Sequence, residues 1–285
     1  MSYDLIDLMD LKNFNISVFS YNVFWKVMVE SNSPLVSHIG IKKLKKLKMS
    51  ILENILSVKN YYSPFIYCFQ EAESHNDILK LFEKNIFDYN VGYSNPEHIL
   101  TIWNINVIKK LFVANDEFEP GRPFSLFVFE DLRFCANFIL VNVHAGHKAD
   151  TFVSIFQPIQ HLINLHIDAI TRLEPTRIII CGDFNRDIQG QISIEPKRYF
   201  LKIKNKKFFF GNNTDAGHEH EYEYKSVNKT CCNLNGYAYN KNYDQVIDSY
   251  DSPIIVYPLN KEKWYIPQSS DHIAVISIVK NYNQK

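Results

Sequence analysis

Short apolar runs, each ending in a polar residue, set the layout of this chain. Residues Asn15 to Phe24 alternate and are rich in Ile, Val, Phe and Tyr, which predicts a strand ending near Tyr21-Asn22. Phe65-Ile66-Tyr67-Cys68-Phe69 predicts a buried strand that stops at Gln70-Glu71, and His98 to Trp103 another that begins directly after Glu97. Phe124 to Phe129 and Phe134 to Val143 read as a hairpin around Glu130-Asp131, running out into Asn142-Val143-His144. In Arg177-Ile178-Ile179-Ile180-Cys181-Gly182-Asp183-Phe184-Asn185, consecutive isoleucines cannot face water. The run is a buried strand, with Asp183 and Asn185 at its carboxyl end, where polar side chains can converge on a ligand. Asp244 to Ser249 and His272 to Val279 complete the strands.

Two stretches follow a helical rhythm instead. Ile41, Leu44, Leu47, Ile51, Leu52 and Ile55 recur by threes and fours, opposite Lys42, Lys43, Lys45, Lys46 and Lys48, a face read as solvated. Ile155, Phe156, Ile159, Leu162, Ile163, Ile167 and Ile170 mark a second helix, interrupted by Pro158 near its start. Residues Ile188 to Lys229 are polar and mixed, and the pattern assigns them no element. Strands that alternate with helices in places and pair as hairpins in others imply mixed sheets, not a purely parallel wound fold. No repeat or flexible linker divides the chain, so residues 1–285 read as one domain with a core from about 15 to 280.

Hydrophobic residues at 46% exclude a disordered chain, while 31 basic and 31 acidic residues leave no net charge to attract a polyanion, so any such affinity has to be local. Cys68, Cys135 and Cys181 sit in apolar runs and read as buried thiols, and Cys231-Cys232 lacks the spacing of a zinc pair. No apolar stretch is long enough to span a membrane, and Met1-Ser2-Tyr3-Asp4 lacks the basic start of a signal peptide. A monomeric intracellular protein is expected. His218-Glu219-His220-Glu221 departs from the H-E-x-x-H spacing and reads as a solvated loop.

The chemistry-bearing residues are those at the ends of the apolar runs: Asn22, Glu71, His144, Asp183, Asn185, Asp244, Asp271 and His272, joined by Glu97 and Arg122. Each has a structural alternative when taken singly. Asn22 fits a turn, His144 a satisfied core histidine, Asp183 a turn cap, and Asp271-His272 the polar lead-in to a strand. Together they hold what phosphodiester hydrolysis needs. Oxygen ligands hold a divalent cation, a carboxylate or supported histidine activates water, and donors stabilise charge on phosphate oxygens.

Tyr21-Asn22, Gln70-Glu71, Asn142-Val143-His144, Gly182-Asp183-Phe184-Asn185, Tyr243-Asp244 and Ser270-Asp271-His272 resemble the endonuclease/exonuclease/phosphatase superfamily, over about Ile16 to Val279. The resemblance implies a four-layer α/β sandwich, two mixed sheets face to face with helices outside. It also implies a hydrolase of phosphoric esters that uses Mg²⁺, or Mn²⁺ in its place. Carried over by motif, Glu71 holds the metal with Asn22 and Asp271 close by. His272, oriented by Asp244, is the base or phosphate partner, and Asp183 aligns the attacking water. Asn185 contacts the scissile phosphate, and His144 stabilises the transition state. Glu97 matches the family's acid supporting that histidine, and Arg122 its phosphate contact. Trp25 lies where substrate loops sit, where it either stacks on a base or belongs to the core. The disulfides and signal peptide of secreted deoxyribonucleases are absent, and Asn242-Tyr243-Asp244-Gln245 replaces the inositol-phosphatase motif. A nuclease or nucleotide phosphodiesterase is the leading expectation. The alternatives are a phosphomonoesterase of phosphoinositide type and a non-catalytic module on the same fold.

Overall fold

The computed structural model describes residues 16–146, 152–186, 198–210, 244–249, 254–256 and 275–279. β1 (Ile16–Asn22) leads through the short helical turns α1 (Trp25–Met28) and α2 (Val36–Ile39) into the long helix α3 (Ile41–Tyr61). Then come β2 (Ile66–Gln70), α4 (His75–Leu79), β3 (Phe87–Ser94), β4 (Glu97–Asn104), β5 (Ile108–Glu117), β6 (Pro123–Asp131) and β7 (Ala136–His144). Helices α5 (Gln157–Leu165) and α6 (Ile167–Arg172) cross over to β8 (Arg177–Asp183), and β9 (Phe200–Ile203) pairs with β10 (Lys206–Phe209). The last described strands are β11 (Asp244–Asp248), β12 (Ile254–Val256) and β13 (Val275–Val279).

These strands form a six-stranded sheet, ordered β12-β13-β1-β2-β4-β3, and a five-stranded sheet, ordered β11-β8-β7-β6-β5. Both are mixed. β1 runs parallel to β2, and β7 parallel to β8, while every other pair in the two sheets is antiparallel. A parallel pair needs a crossover, which α3 supplies in one sheet and α5 with α6 in the other.

Period-two alternation sorts the side chains into layers. Phe19, Tyr21, Tyr67 and Phe69 face Leu44, Ile51, Ile55 and Val58 of α3. Ile139, Val141, Val143, Ile178 and Ile180 face Ile159, Leu162 and Ile163 of α5. Between the sheets lie Val18, Ile66, Cys68, Trp103, Phe127, Phe129, Leu140, Ile179, Cys181 and Val246. The run Ile178-Ile179-Ile180 is buried because each face of β8 has its own cover. The result is the four-layer sandwich.

Several local expectations change. The hydrophobic pattern did not mark β3 and β5, each at one edge of its sheet. Exposed positions such as Asp88, Tyr89, Lys109 and Lys110 interrupt their alternation, as solvent-facing edges require. Cys135 is exposed, because the chain turns there between β6 and β7 with φ 49°. Lys48 is not on the solvated face of α3. It is buried, with Nζ 2.9 Å from Glu30 and 2.6 Å from Asp77. The second helix begins at Gln157, with Pro158 in its first turn, after a π-turn at Phe152–Phe156, and breaks at His166 into α5 and α6.

Candidate active site

Parallel neighbours end together, so the carboxyl ends of β1 and β2 share one end of their sheet, and those of β7 and β8 share one end of the other. The inner-face row of β1, from Ile16 through Val18 and Ser20, finishes at Asn22. Likewise Leu140 and Asn142 of β7 lead to His144, and Ile179 and Cys181 of β8 lead to Asp183. Packing the sheets face to face brings these ends into contact. Asn22 Nδ2 donates to Glu71 Oε1 at 3.1 Å and to Asp183 Oδ2 at 3.0 Å, which joins the two sheets at their polar rim.

The glycine of Gly-Asp-x-Asn has a specific task. Gly182 sits at φ +139°, and a Cβ there would lie 2.0 Å from the Val143 carbonyl oxygen. Only glycine lets β8 come this close to β7, which sets His144 in register with Asp183. Phe24, Glu71 and Asn185 adopt positive φ values of 57°, 54° and 53°. Three left-handed non-glycine residues on the loops that build one site are strain held in place by hydrogen bonds. Asn22 Oδ1 accepts from Phe24 N at 3.0 Å, Glu71 Oε2 from Trp25 N at 3.0 Å, and Asp183 Oδ1 from Asn185 N at 2.8 Å.

His144 is buried at the centre of the cluster. Its Nδ1 lies 2.7 Å from Glu97 Oε2, and its Nε2 lies 3.8 Å from both Glu71 Oε1 and Asp183 Oδ2. Burial opposes the charged ring, but the Glu97 hydrogen bond and the charges of Glu97, Asp183 and Glu71 outweigh it, and the His144 pKa stands above the ordinary histidine value. Arg122 Nη1 acts in the opposite sense, 2.5 Å from Nε2 and 3.2 Å from Glu97 Oε1. A guanidinium only donates, so it faces Nε2 as the acceptor of a neutral ring. The carboxylates therefore favour a proton that Arg122, in this position, keeps off Nε2.

Other expected residues are placed less directly on the cluster. Asn185 Nδ2 donates to the Ala145 carbonyl at 2.6 Å, tying the β8 loop to the end of β7. Trp25 is half-buried, and its backbone anchors Glu71. Asp244 pairs with Asp183 across β11 and β8. Asp271 and His272 lie outside the described residues, as do His218 to Glu221.

The sequence reading gave no role to four residues, two of which, Gln70 and Asn142, it quoted only as parts of motifs. Gln70 and Asn142 form a buried polar floor beneath the cluster, Gln70 Nε2 donating to Asn142 Oδ1 at 2.8 Å and Asn142 Nδ2 to Thr101 Oγ1 at 3.1 Å. Arg186 donates to the Gly146 and Phe184 carbonyls and to Ser154 Oγ, fixing the loop after His144. Glu73, next to the cluster, has its carboxyl pushed up to about 8 by burial and by the charges of Glu71 and Glu97, and its Oε2 has no hydrogen-bond partner. The available signal was a second acid two residues beyond Glu71.

Among the described residues no group of three or more His, Cys, Asp or Glu side chains is placed to hold a metal ion. The oxygen donors that converge are those of Glu71 and Asp183, with the Asn22 amide between them. Hard carboxylate oxygens are the ligand type Mg²⁺ takes.

The fold is that of the endonuclease/exonuclease/phosphatase superfamily. A Bacteroides thetaiotaomicron protein of that family superposes with a TM-score of 0.61 at 15% identity, covering 94% of this chain and 98% of its own. ANGEL2, a 2',3'-cyclic phosphatase, superposes at 0.64 with 15% identity, over 93% of this chain and 95% of its own. Zebrafish (D. rerio) TDP2, solved with a single-strand DNA product, does so at 0.54 with 13% identity, over 93% and 98%. In sequence, the chain is 25% identical to the uncharacterized protein L684 of Acanthamoeba polyphaga mimivirus, over 93% of its own length but half of that relative's. No protein-family model matches the chain.

Proposed function

We propose that this chain hydrolyses a phosphodiester, with a divalent cation of Mg²⁺ type as cofactor. The observation that carries the proposal is the junction itself. Asn22, Glu71, His144 and Asp183 come from four separate segments and meet within hydrogen-bond or near-contact distance, backed by Glu97 and Arg122. A structural ion-pair network does not need left-handed backbone at Glu71 and Asn185 or a fully buried histidine flanked by three carboxylates.

The roles follow from the chemistry at each atom. Arg122 and the Nε2 edge of His144 are the positive donors, and they take the non-bridging phosphate oxygens. When Arg122 swings from the ring to the phosphate, Nε2 is free to hold a proton. Glu97 on Nδ1 then stabilises the imidazolium that donates to the developing charge. Asp183, held by Asn22 and the Asn185 backbone, keeps a carboxylate oxygen turned to the attacking water and accepts its proton. The water oxygen bonds to phosphorus, one P–O ester bond breaks, and the departing oxygen leaves as an alcohol once protonated. The His272 and Asp244 pair is proposed from its motif for that proton or for a phosphate contact. Glu71, Asn22 and Asp271 would hold the cation, which when bound supplies Lewis-acid neutralisation of phosphate charge.

The test is hydrolysis of bis(p-nitrophenyl) phosphate and dinucleotides by wild type, Asp183→Ala and His144→Ala with Mg²⁺ or Mn²⁺. Wild type turns over, and each variant loses about 10²–10³-fold, the range for removing one transition-state contact. Wild type no more active than the variants across metals and substrates overturns the proposal. Phosphate release from inositol phosphates without diester cleavage would transfer the same site to a phosphomonoester.

A further inference from the structure

The chain carries equal numbers of acidic and basic residues, yet no Asp or Glu occurs between Glu30 and Glu53. That gap holds Lys42, Lys43, Lys45, Lys46 and Lys48, all on α3. Lys48 is neutralised in the interior by Glu30 and Asp77. The other four are exposed, and no carboxylate pairs with any of them among the described residues.

Their placement on the helix argues against a simple solubilising role. Solvent faces of helices ordinarily mix both signs, because Glu and Lys one turn apart stabilise each other. Here the lysines fill the first two turns, where the positive end of the helix dipole disfavours them. No acidic residue stands in the first turn, and Gly40 gives no side-chain cap to offset the charge. This arrangement lowers helix stability while concentrating charge.

Position in the fold supplies the partner. The carboxyl half of α3 lies far from the catalytic end, since Lys59 Nζ reaches the Leu81 carbonyl at 2.8 Å and Glu83 at 2.7 Å, just before β3 starts. Lys48 instead meets Glu30 and Asp77, on segments that follow the catalytic ends of β1 and β2. Ser74 Oγ ties these segments together through the Met28 carbonyl at 2.8 Å. At about 1.5 Å per residue, Lys42 to Lys46 lie roughly 3–9 Å further along the axis in the same direction. Lys26, one residue beyond the Trp25 amide that anchors Glu71, sits on α1, which packs against α3 and continues the positive track to the site.

We propose that the substrate is a polynucleotide, and that Lys42, Lys43, Lys45 and Lys46 hold its phosphates beyond the scissile bond. This inference rests on the phosphodiesterase reading for the identity of the bond cut. A phosphate-rich chain is the ligand that both the site and the patch recognise, whereas a small cyclic or inositol phosphate would not reach from one to the other.

The decisive comparison uses the full chain and the K42Q/K43Q/K45Q/K46Q variant, since Gln keeps nearly the helix propensity of Lys. Binding of a fluorescent 30-nucleotide single strand in EDTA is read by anisotropy across salt concentrations, independently of catalysis. The variant is expected to bind at least tenfold more weakly at about 100 mM salt. The slope of log affinity against log salt should flatten by about 0.7 for each lysine that contacts phosphate. With metal, KM for the oligonucleotide rises by a similar factor, while dinucleotide cleavage stays unchanged and the melting temperature does not fall, since the removed charges disfavour the helix start. Equal oligonucleotide affinity and slope for the two proteins, or no binding by wild type, overturns the inference even if dinucleotides are cleaved. Loss of binding to phosphatidylserine vesicles with oligonucleotide binding intact would assign the patch to a lipid surface and overturn it equally. Weakened binding without hydrolysis by wild type would leave the surface standing and remove the catalytic reading.

Discussion

At the residue scale, the site is defined by carboxylates held closer together than water would allow. Glu73 reports this field. Its carboxyl is pushed up to about 8, from an ordinary 4.5, by burial first and by Glu71 and Glu97 next. A carboxyl raised in the folded state favours folding while protonated. Its contribution is full below about 4.5, falls as the unfolded chain releases the proton first, and is gone once pH passes about 8. Glu73→Gln removes that loss. Relative to wild type, the variant in EDTA should gain stability between pH 5 and pH 9, by on the order of 2–4 kcal/mol, in urea unfolding. A pH-independent difference would mean that Glu73 is ionised in the folded protein. Asn22, Glu71, His144 and Asp183 were legible in the sequence because each ends an apolar run whose inward face could be counted. Glu73 was not, since no run pointed to it and its environment comes from burial, from Glu71 and from Glu97 on the separate strand β4. The same holds for Arg186, whose side chain reaches Gly146 and Ser154 on segments that no local pattern connects to it.

At the scale of elements, the geometry hangs on how β8 is held between β7 and β11. On one side Gly182 permits close approach to Val143, and on the other Arg177 and Asp248 form a buried bidentate pair, with Arg177 Nε 3.2 Å from Asp248 Oδ1 and a closer contact through Nη2. Removing one partner leaves a buried charge, so Arg177→Met or Asp248→Asn should each cost about 3–5 kcal/mol. Replacing both, as Arg177→Met with Asp248→Leu, should recover a good part of it, because the pair's own desolvation cost disappears with it. A double-mutant cycle by chemical denaturation measures this, and additive losses would show that the two side chains stabilise β8 separately. Strand length and burial made β8 easy to read. The pair was invisible because Arg177 looks like an ordinary polar flank, and only the antiparallel register of β11, with Asp248 opposite Ile179, brings Asp248 within reach of it. The edge strands β3 and β5 escaped for the converse reason: their sequences answer to solvent on one side and blur the period-two signal.

At the scale of the whole molecule, the two sheets repeat one plan. In each, a central parallel pair is linked by a helical crossover and flanked by antiparallel neighbours, so both present their strand ends to a common junction. Glu71, Glu73 and Glu97 come from the first sheet and its loops, while Asp183 and His144 come from the second. The Asn22 amide links Glu71 to Asp183 by hydrogen bonds across that gap, with His144 Nε2 3.8 Å from each. The excess negative charge there costs stability, and a divalent cation would convert it to a gain by drawing both halves onto one ion. Mg²⁺ should therefore raise the melting temperature of the wild type in calorimetry. At a hundredfold excess over Kd the gain is about 2.7 kcal/mol, or roughly 4–5 °C for a domain of this size. Glu71→Gln should abolish the Mg²⁺ shift. Its own melting temperature without metal should stand near the wild type's, since Gln can still accept from the Trp25 amide. This test needs no turnover, so it separates cation binding from hydrolysis. A wild type indifferent to Mg²⁺ and Mn²⁺ would mean that the junction binds no such cation and is held by its protein contacts.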